Sequence, residues 1–370
     1  MSCWSAPLGI ADRIYATANW LLTPSRDRFF KNGYGDIGKV RILQRSMMVE
    51  WAKDGMQSWW AQSPRLAVAW TIDGKAADFE HPDLDRGFAP GRIFDGKFAS
   101  PLAEWLPAEV GTCHVRFILP DGPACGVVLH TAATNTEDYK SRQRIAERLA
   151  QHGLGSVIML VPYYGCRRAK GQTSAKLLTV ADYQLQSLAV IFEGVGLLRW
   201  LHATYPGVPL GVTGISWGGA MAACIGVTSR MPIACVPCLG ATSPAAMVHG
   251  IINWQLDWAK LMEEQSQTLE VAKSALEAEF RSITLKNLVD TAPQPTSTIP
   301  SMVQVSATHD LFVPAWEGQA LYDTLSRACT KHTSRWVDGG HVVSFVRADS
   351  DFVSAIIAAF DEMDRQTPQL

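Results

Sequence analysis

The chain has no excess of either charge: Lys and Arg number 33 against 35 Asp and Glu, giving a net charge of -2 and a pI near 6.5. It therefore lacks the basic footprint that a phosphate backbone demands, and nucleic-acid binding is not expected. It also lacks any run of about 18 or more apolar residues free of charge, the minimum for a membrane-spanning helix. The most apolar stretch, around Leu188 to Leu201, is broken by Glu193 and Arg199. No basic start followed by an uninterrupted apolar core stands at the N-terminus, so a secretory signal is not expected. Residues Leu8 to Leu22 read instead as an amphipathic helix near Arg13, Arg26 and Arg28. A mitochondrial presequence is the alternative reading, weakened by Asp12 and Asp27, and packing on the core is the plainer expectation.

Close cysteine pairs are nearly absent. Of 8 cysteines only Cys235-Val236-Pro237-Cys238 has short spacing. A zinc site would want a second ligand pair, and this pair sits in the apolar run Pro232 to Leu239, which reads as a core strand. No metal or organic cofactor is implied. An even count does not by itself imply disulfides in a chain of this size.

What the chain does have is apolar mass: 370 residues, 47% hydrophobic and 18% charged. That suffices for one large α/β domain or two smaller ones. Within it lies Gly214-Ile215-Ser216-Trp217-Gly218, a G-x-S-x-G pentapeptide. Pro209 to Thr213 before it read as a short buried strand, and Gly218 to Ile225 after it as a buried helix. A serine at such a junction stands on a sharp turn with its hydroxyl above the sheet. The flanking glycines suit a turn with no room for a Cβ.

Two further strand ends supply partners. Pro300 to Ala307 runs out into Thr308-His309-Asp310, and Ser334 to Val337 runs into Asp338-Gly339-Gly340-His341. Ser216, Asp310 and His341 stand in the order nucleophile, acid, base, the order of α/β-hydrolases. A serine hydroxyl is a poor nucleophile at neutral pH, so an imidazole must take its proton and later return it to the leaving group. A carboxylate fixes the ring's tautomer and stabilises the imidazolium. Asp338 reads as a turn residue, Asp257 and Asp290 fall in a helical insertion, and His309 reads as a bystander beside the acid. The oxyanion needs two N–H donors. By position these are the amide of Trp217 and one from the loop after the strand Cys125 to His130, at Thr131 or Ala132.

Residues 1–60 read as a helical N-terminal extension rich in tryptophan (Trp51, Trp59, Trp60), packed on an α/β domain at 61–370. Strands are expected at Leu66 to Ile72, Cys113 to Leu119 and Val157 to Val161, with helices from about Thr136 to His152 and Val180 to Ala203. A predominantly helical stretch, about 243–298, carries Ile251, Trp254, Trp258, Leu261 and Met262 at helical spacing. Its place in the chain suits a cap over the active site, with Trp254 and Trp258 as candidates to receive an acyl chain. Pro162 to Gln172 follows a strand's C-terminal end, where substrates bind in such folds. Tyr163 and Tyr164 are further binding candidates there. Arg167, Arg168 and Lys170 have the chemistry to hold an anionic head group; the other reading is that they pair with acids and organise the rim.

The chain resembles the α/β-hydrolase domain-containing protein 18 group. The resemblance is carried by Phe29-Phe30-Lys31-Asn32-Gly33-Tyr34-Gly35, by Phe98 to Glu109, by Pro162 to Arg168, by the turn at Gly214 to Gly219, by Asp310 to Pro314 and by Gly339 to Val342. It implies an α/β-hydrolase fold, with a mostly parallel central sheet flanked by helices, and a serine-hydrolase triad on Ser216, Asp310 and His341. It also implies that some members sit at mitochondria or membranes, which suits an acyl-lipid ester and peripheral membrane contact. The chain departs from the expected pattern after the oxyanion strand. A glycine-rich stretch would be expected there, and Thr131-Ala132-Ala133-Thr134-Asn135-Thr136 stands in its place. The expected activity is carboxylic ester hydrolysis; an acyltransferase or thioesterase would use the same triad, and a non-catalytic scaffold would keep the fold alone.

Overall fold

In a computed structural model, the described residues are 9–22, 27–63, 66–72, 75–76, 81–84, 93–265, 268–281, 284–293 and 299–366. Leu8 and Arg26, named above, lie outside them. Three helices come first: α1 (Ile10–Leu22), α2 (Ile37–Asp54) and α3 (Gln57–Gln62). A block of strands follows: β1 (Ala69–Ile72), β2 (Lys75–Ala76), β3 (Ile93–Ala99), β4 (Thr112–Ile118) and β5 (Gly126–Thr131). Alternation then sets in, with α4 (Lys140–Ala150), β6 (Leu154–Leu160), α5 (Val180–Thr204), β7 (Leu210–Ile215), α6 (Trp217–Ser229) and β8 (Ala234–Cys238). Four short helices intervene, α7 (Ala246–His249), α8 (Trp258–Gln265), α9 (Leu269–Phe280) and α10 (Leu285–Asp290), before β9 (Ile299–Ala307), α11 (Ala315–Leu325), β10 (Cys329–Val337), α12 (His341–Val346) and α13 (Ala348–Gln366).

The strands form one sheet in the order β10-β9-β8-β7-β5-β6-β4-β3-β1-β2. From β10 to β6 every pairing is parallel, and from β6 through β4, β3 and β1 to β2 every pairing is antiparallel. β5, β6, β7 and β8 are buried along their whole length. Such continuous apolar runs arise because helices cover both faces of a parallel sheet. On β5 the pleat sends Val127 and Leu129 into the larger core, which also holds residues of α2, α5 and α6, and sends Val128 into a second core with α4 and α13.

Chain order sets where a site forms. From β5 the chain crosses by α4 to β6 on one side; it then returns by α5 past β5 to β7 on the other. The C-terminal ends of β5 and β7 therefore flank a topological switch point, where open α/β sheets place their ligands. The antiparallel strand β3 (Ile93–Ala99) was not expected from sequence. Its alternating burial and Phe-Asp-Gly-Lys-Phe pattern make it a half-covered strand that is weakly marked beside the apolar central ones.

The pair Cys235 and Cys238 lies on β8, fully buried, and both thiols are free. Burial pushes both thiols upward in pKa, away from the thiolate form that metal binding and redox exchange need. Among the described residues no group of three or more His, Cys, Asp or Glu is placed to hold a metal ion, and no helix is long and apolar enough to cross a membrane.

Candidate active site

The sharp turn is built from close approach. Ser216 has φ 61 and ψ -126, a conformation that costs a non-glycine residue energy and persists only when its surroundings fix it. Its amide donates to the Cys238 carbonyl at 2.9 Å. Thr131 Oγ1 donates to the Gly218 carbonyl at 2.7 Å and the Thr213 carbonyl at 3.1 Å, tying the tip of β5 to both sides of the turn. A Cβ on Gly218 would stand 2.7 Å from the Ala132 carbonyl oxygen, so only glycine lets α6 start this close to β5. Trp217 opens α6, where first-turn amides have no helical partner and the helix dipole presents positive charge.

Asp310 and His341 meet across neighbouring strand ends. Asp310 follows β9, and its Oδ1 accepts the amides of Phe312 at 2.9 Å and Val313 at 2.8 Å. Its Oδ2 lies 2.6 Å from Nδ1 of His341, the first residue of α12. Phe312 stacks on the imidazole with ring centroids 5.2 Å apart. Burial alone would depress the pKa of His341; the charge of Asp310, its hydrogen bond and the charge of Asp12 outweigh burial and raise it above the ordinary 6.5. His309 takes no part: its Nε2 faces Asp338 Oδ1 at 3.7 Å. His130 faces away on β5, with Nε2 3.1 Å from Ser156 Oγ, and burial, aided by the charge of Arg142, pushes it down to about 3.

Ser216 and His341 line one cavity of about 430 Å³, a size typical of small-molecule sites. Its walls are largely apolar: Leu188 and Ile191 of α5, Met221 of α6, Met247 of α7, Ile252 and Phe280. The helical stretch between β8 and β9 thus supplies much of the lining. Trp217, Ala133 and Asn135 also border it, and so does Tyr15 of α1.

Several residues expected to touch substrate sit elsewhere. Thr131 and Ala132 do not border the cavity, and the Thr131 hydroxyl is taken up by the turn. Arg167 is fully buried: its guanidinium makes a two-pronged pair with Glu193 at 2.6 and 2.8 Å and donates to the carbonyls of Val110 and Leu160. Arg168 is paired with Glu137. Both guanidiniums are thus paired with acids, the second of the two readings given above, and a guanidinium already holding a carboxylate has little to offer an anion. Tyr163 and Tyr164 are buried and do not line the cavity. Tyr164 acts behind it, where its hydroxyl accepts the Asn135 amide at 3.2 Å and steadies the turn after β5. Trp254 and Trp258 also lie off the cavity, with Trp258 Nε1 donating to the Asn253 carbonyl at 3.0 Å. Of the apolar residues read at helical spacing, only Leu261 is fully buried, while Ile251 and Trp254 fall in a 3-10 turn; from this stretch Met247, Ile252, Phe280 and Leu285 are among the residues that reach the cavity.

The family model of alpha/beta hydrolase domain containing 18 matches residues 27–362. The chain belongs to the alpha/beta hydrolase domain containing 18 family. Solved structures with a similar fold include acetyl xylan esterase 1 from Thermoanaerobacterium sp. JW/SL YS485, at 14% identity, covering 91% of this chain and 97% of that one with a TM-score of 0.53. Another is the acetyl xylan esterase from Paenibacillus sp. R4, at 13% identity, covering 88% and 95% with a TM-score of 0.54. At such identities the likeness is one of fold, and the fold is that of α/β-hydrolases.

One residue of the site had no mark in the sequence. Asp12, on α1, is buried completely against the His341 turn. It had figured only as a charge unsuited to a targeting segment, and no local pattern ties position 12 to position 341.

Proposed function

We propose that the protein is a serine hydrolase that cleaves a carboxylic ester, with an acyl lipid as substrate class. The observation that carries the reading is Ser216 on its strained turn sharing a cavity with His341, whose other ring nitrogen is held by Asp310 at 2.6 Å. Ser216 Oγ forms the bond to the acyl carbon while His341 Nε2 takes its proton. The tetrahedral oxyanion collapses, the ester C–O bond breaks, and the leaving alkoxide takes the proton from His341. Water repeats the sequence and releases the acid. Asp310 orients the ring and stabilises its charged form.

The oxyanion donors in this reading are the amide of Trp217 and the amide of Ala133, which is the first residue past β5 to border the cavity. The largely apolar walls favour an acyl chain over a sugar or a peptide. Tyr15 and Val346 line the cavity while remaining 48% and 76% exposed, an apolar margin suited to peripheral contact with a lipid surface.

The test is labelling of wild type and Ser216→Ala protein with a fluorophosphonate, followed by peptide mapping and a panel of acyl esters. Labelling confined to Ser216, together with turnover that Ser216→Ala abolishes, is the expected result. A folded wild type that neither labels nor turns over any ester would overturn the reading.

A further inference from the structure

Helix α1 lies outside the region matched by the family, which begins at residue 27. Yet its Asp12 reaches the two turns that carry Asp310 and His341. The carboxylate is 0% exposed. Oδ2 accepts the amide of Leu311 at 3.1 Å and that of His341 at 2.9 Å, and Oδ1 accepts the amide of Val342 at 2.8 Å. One carboxylate thereby spans the turn that carries Asp310 and the turn that carries His341. The fit is close: a Cβ on Gly340 would stand 2.8 Å from Cγ and both oxygens of Asp12. A second thread runs beside it, since Tyr15, one turn along α1, meets Phe312 edge-on at 6.0 Å, and Phe312 stacks on the His341 ring.

A buried carboxylate is costly unless its oxygens are hydrogen-bonded. Here the donors come from the two turns whose spacing sets the acid–base contact. We propose that Asp12 is a positioning residue that clamps the Asp310 and His341 turns together, so that α1 completes the active site. The proposal rests on the reading of Ser216, Asp310 and His341 as a triad. The charged groups facing the His341 ring are Asp310, from the turn after β9, and Asp12, from α1. Removing the negative charge of Asp12 therefore eases protonation loss from the ring as well as loosening its seat.

The experiment uses full-length wild type, Asp12→Asn and Ser216→Ala, with two readouts: the rate of fluorophosphonate labelling at Ser216 across pH, and the titration of the His341 ring by NMR. The amide of Asp12→Asn keeps the shape and sets an N–H against backbone N–H donors. Labelling should slow on the order of 10²-fold, as for a small misplacement of a reacting group, and His341 should titrate at lower pH, with thermal unfolding showing the variant folded. Wild-type labelling in Asp12→Asn, or an unmoved His341 titration, would overturn the proposal. Failure of the wild type to label at Ser216 would sink the triad reading, and the ring titration would still decide whether Asp12 acts on His341. Should Asp12→Asn not fold, Gly340→Ala presses the same carboxylate from the other side at a backbone conformation alanine tolerates (φ -89, ψ 178); its labelling at Ser216 should slow while the charge of Asp12 is kept, and labelling at the wild-type rate would overturn the proposal.

Discussion

His341 Nδ1 and Asp310 Oδ2 are 2.6 Å apart, at the ends of two neighbouring parallel strands, in a place where only 3% of the carboxylate side chain meets solvent. Their contact fixes which ring nitrogen is free to face Ser216.

The first prediction concerns pH. A base acts only when unprotonated, and the His341 pKa is raised above 6.5 despite burial, by the charge and hydrogen bond of Asp310 and the charge of Asp12. The acid limb of kcat/KM should therefore lie above 6.5, activity being lost as pH falls through it. Asp310→Asn should move the limb to lower pH and reduce kcat on the order of 10⁴-fold. A limb at or below the free-histidine value in the wild type would contradict this.

The second concerns the pair Arg167 and Glu193, neither of which has any exposed side-chain surface. Glu193→Gln leaves a buried guanidinium without its counter-charge, and urea unfolding should show a loss of about 3–5 kcal/mol. Because the pair lies off the cavity, labelling of Ser216 per folded molecule should stay near wild type. Unchanged stability in Glu193→Gln, with a lower KM for anionic esters, would instead restore a substrate role to Arg167.

Gly218 provides the third. Its replacement by alanine puts a Cβ 2.7 Å from a backbone carbonyl, that of Ala132, and neither α6 nor β5 can swing away as a flexible side chain would. Gly218→Ala should cost about 1–3 kcal/mol of stability. It should also slow Ser216 labelling, since the shift is taken up at the Trp217 amide. Equal labelling and thermal unfolding temperatures in both proteins would refute it.

The fourth uses the cavity wall. Ile252 lines it from the 3-10 turn at Ile251–Gln255 and is only partly buried. Ile252→Trp should fill part of the 430 Å³, lowering kcat/KM for long acyl esters while sparing acetyl esters. The ratio across a chain-length series is the measurement, and a uniform loss would mean that the acyl group lies elsewhere.

The parts of the site that could be read along the chain are those built from neighbours in sequence. The serine turn is one: its glycines, the apolar run before it and the small-residue helix after it are all needed within a few residues, because the backbone there has space for nothing larger. The strand end at Asp310 was legible as an apolar run that stops in a polar tip, and the one at His341 by the glycines Gly339 and Gly340 that close its strand. β3 was not, since an alternating, half-polar strand carries little mark of its own.

Sequence alone therefore determined the α/β alternation, the order Ser216, Asp310, His341 and the buried character of the central strands. These follow from periodicity and from local steric limits on the backbone. Only the tertiary structure decided that Arg167 belongs to Glu193 and not to a ligand, that Trp254 and Trp258 sit off the cavity while Met247 and Ile252 line it, and that Asp12 grips a turn 329 positions away. A side chain's role is set by which partner fills its hydrogen-bonding and packing capacity, and the fold chooses those partners at separations that no local pattern records.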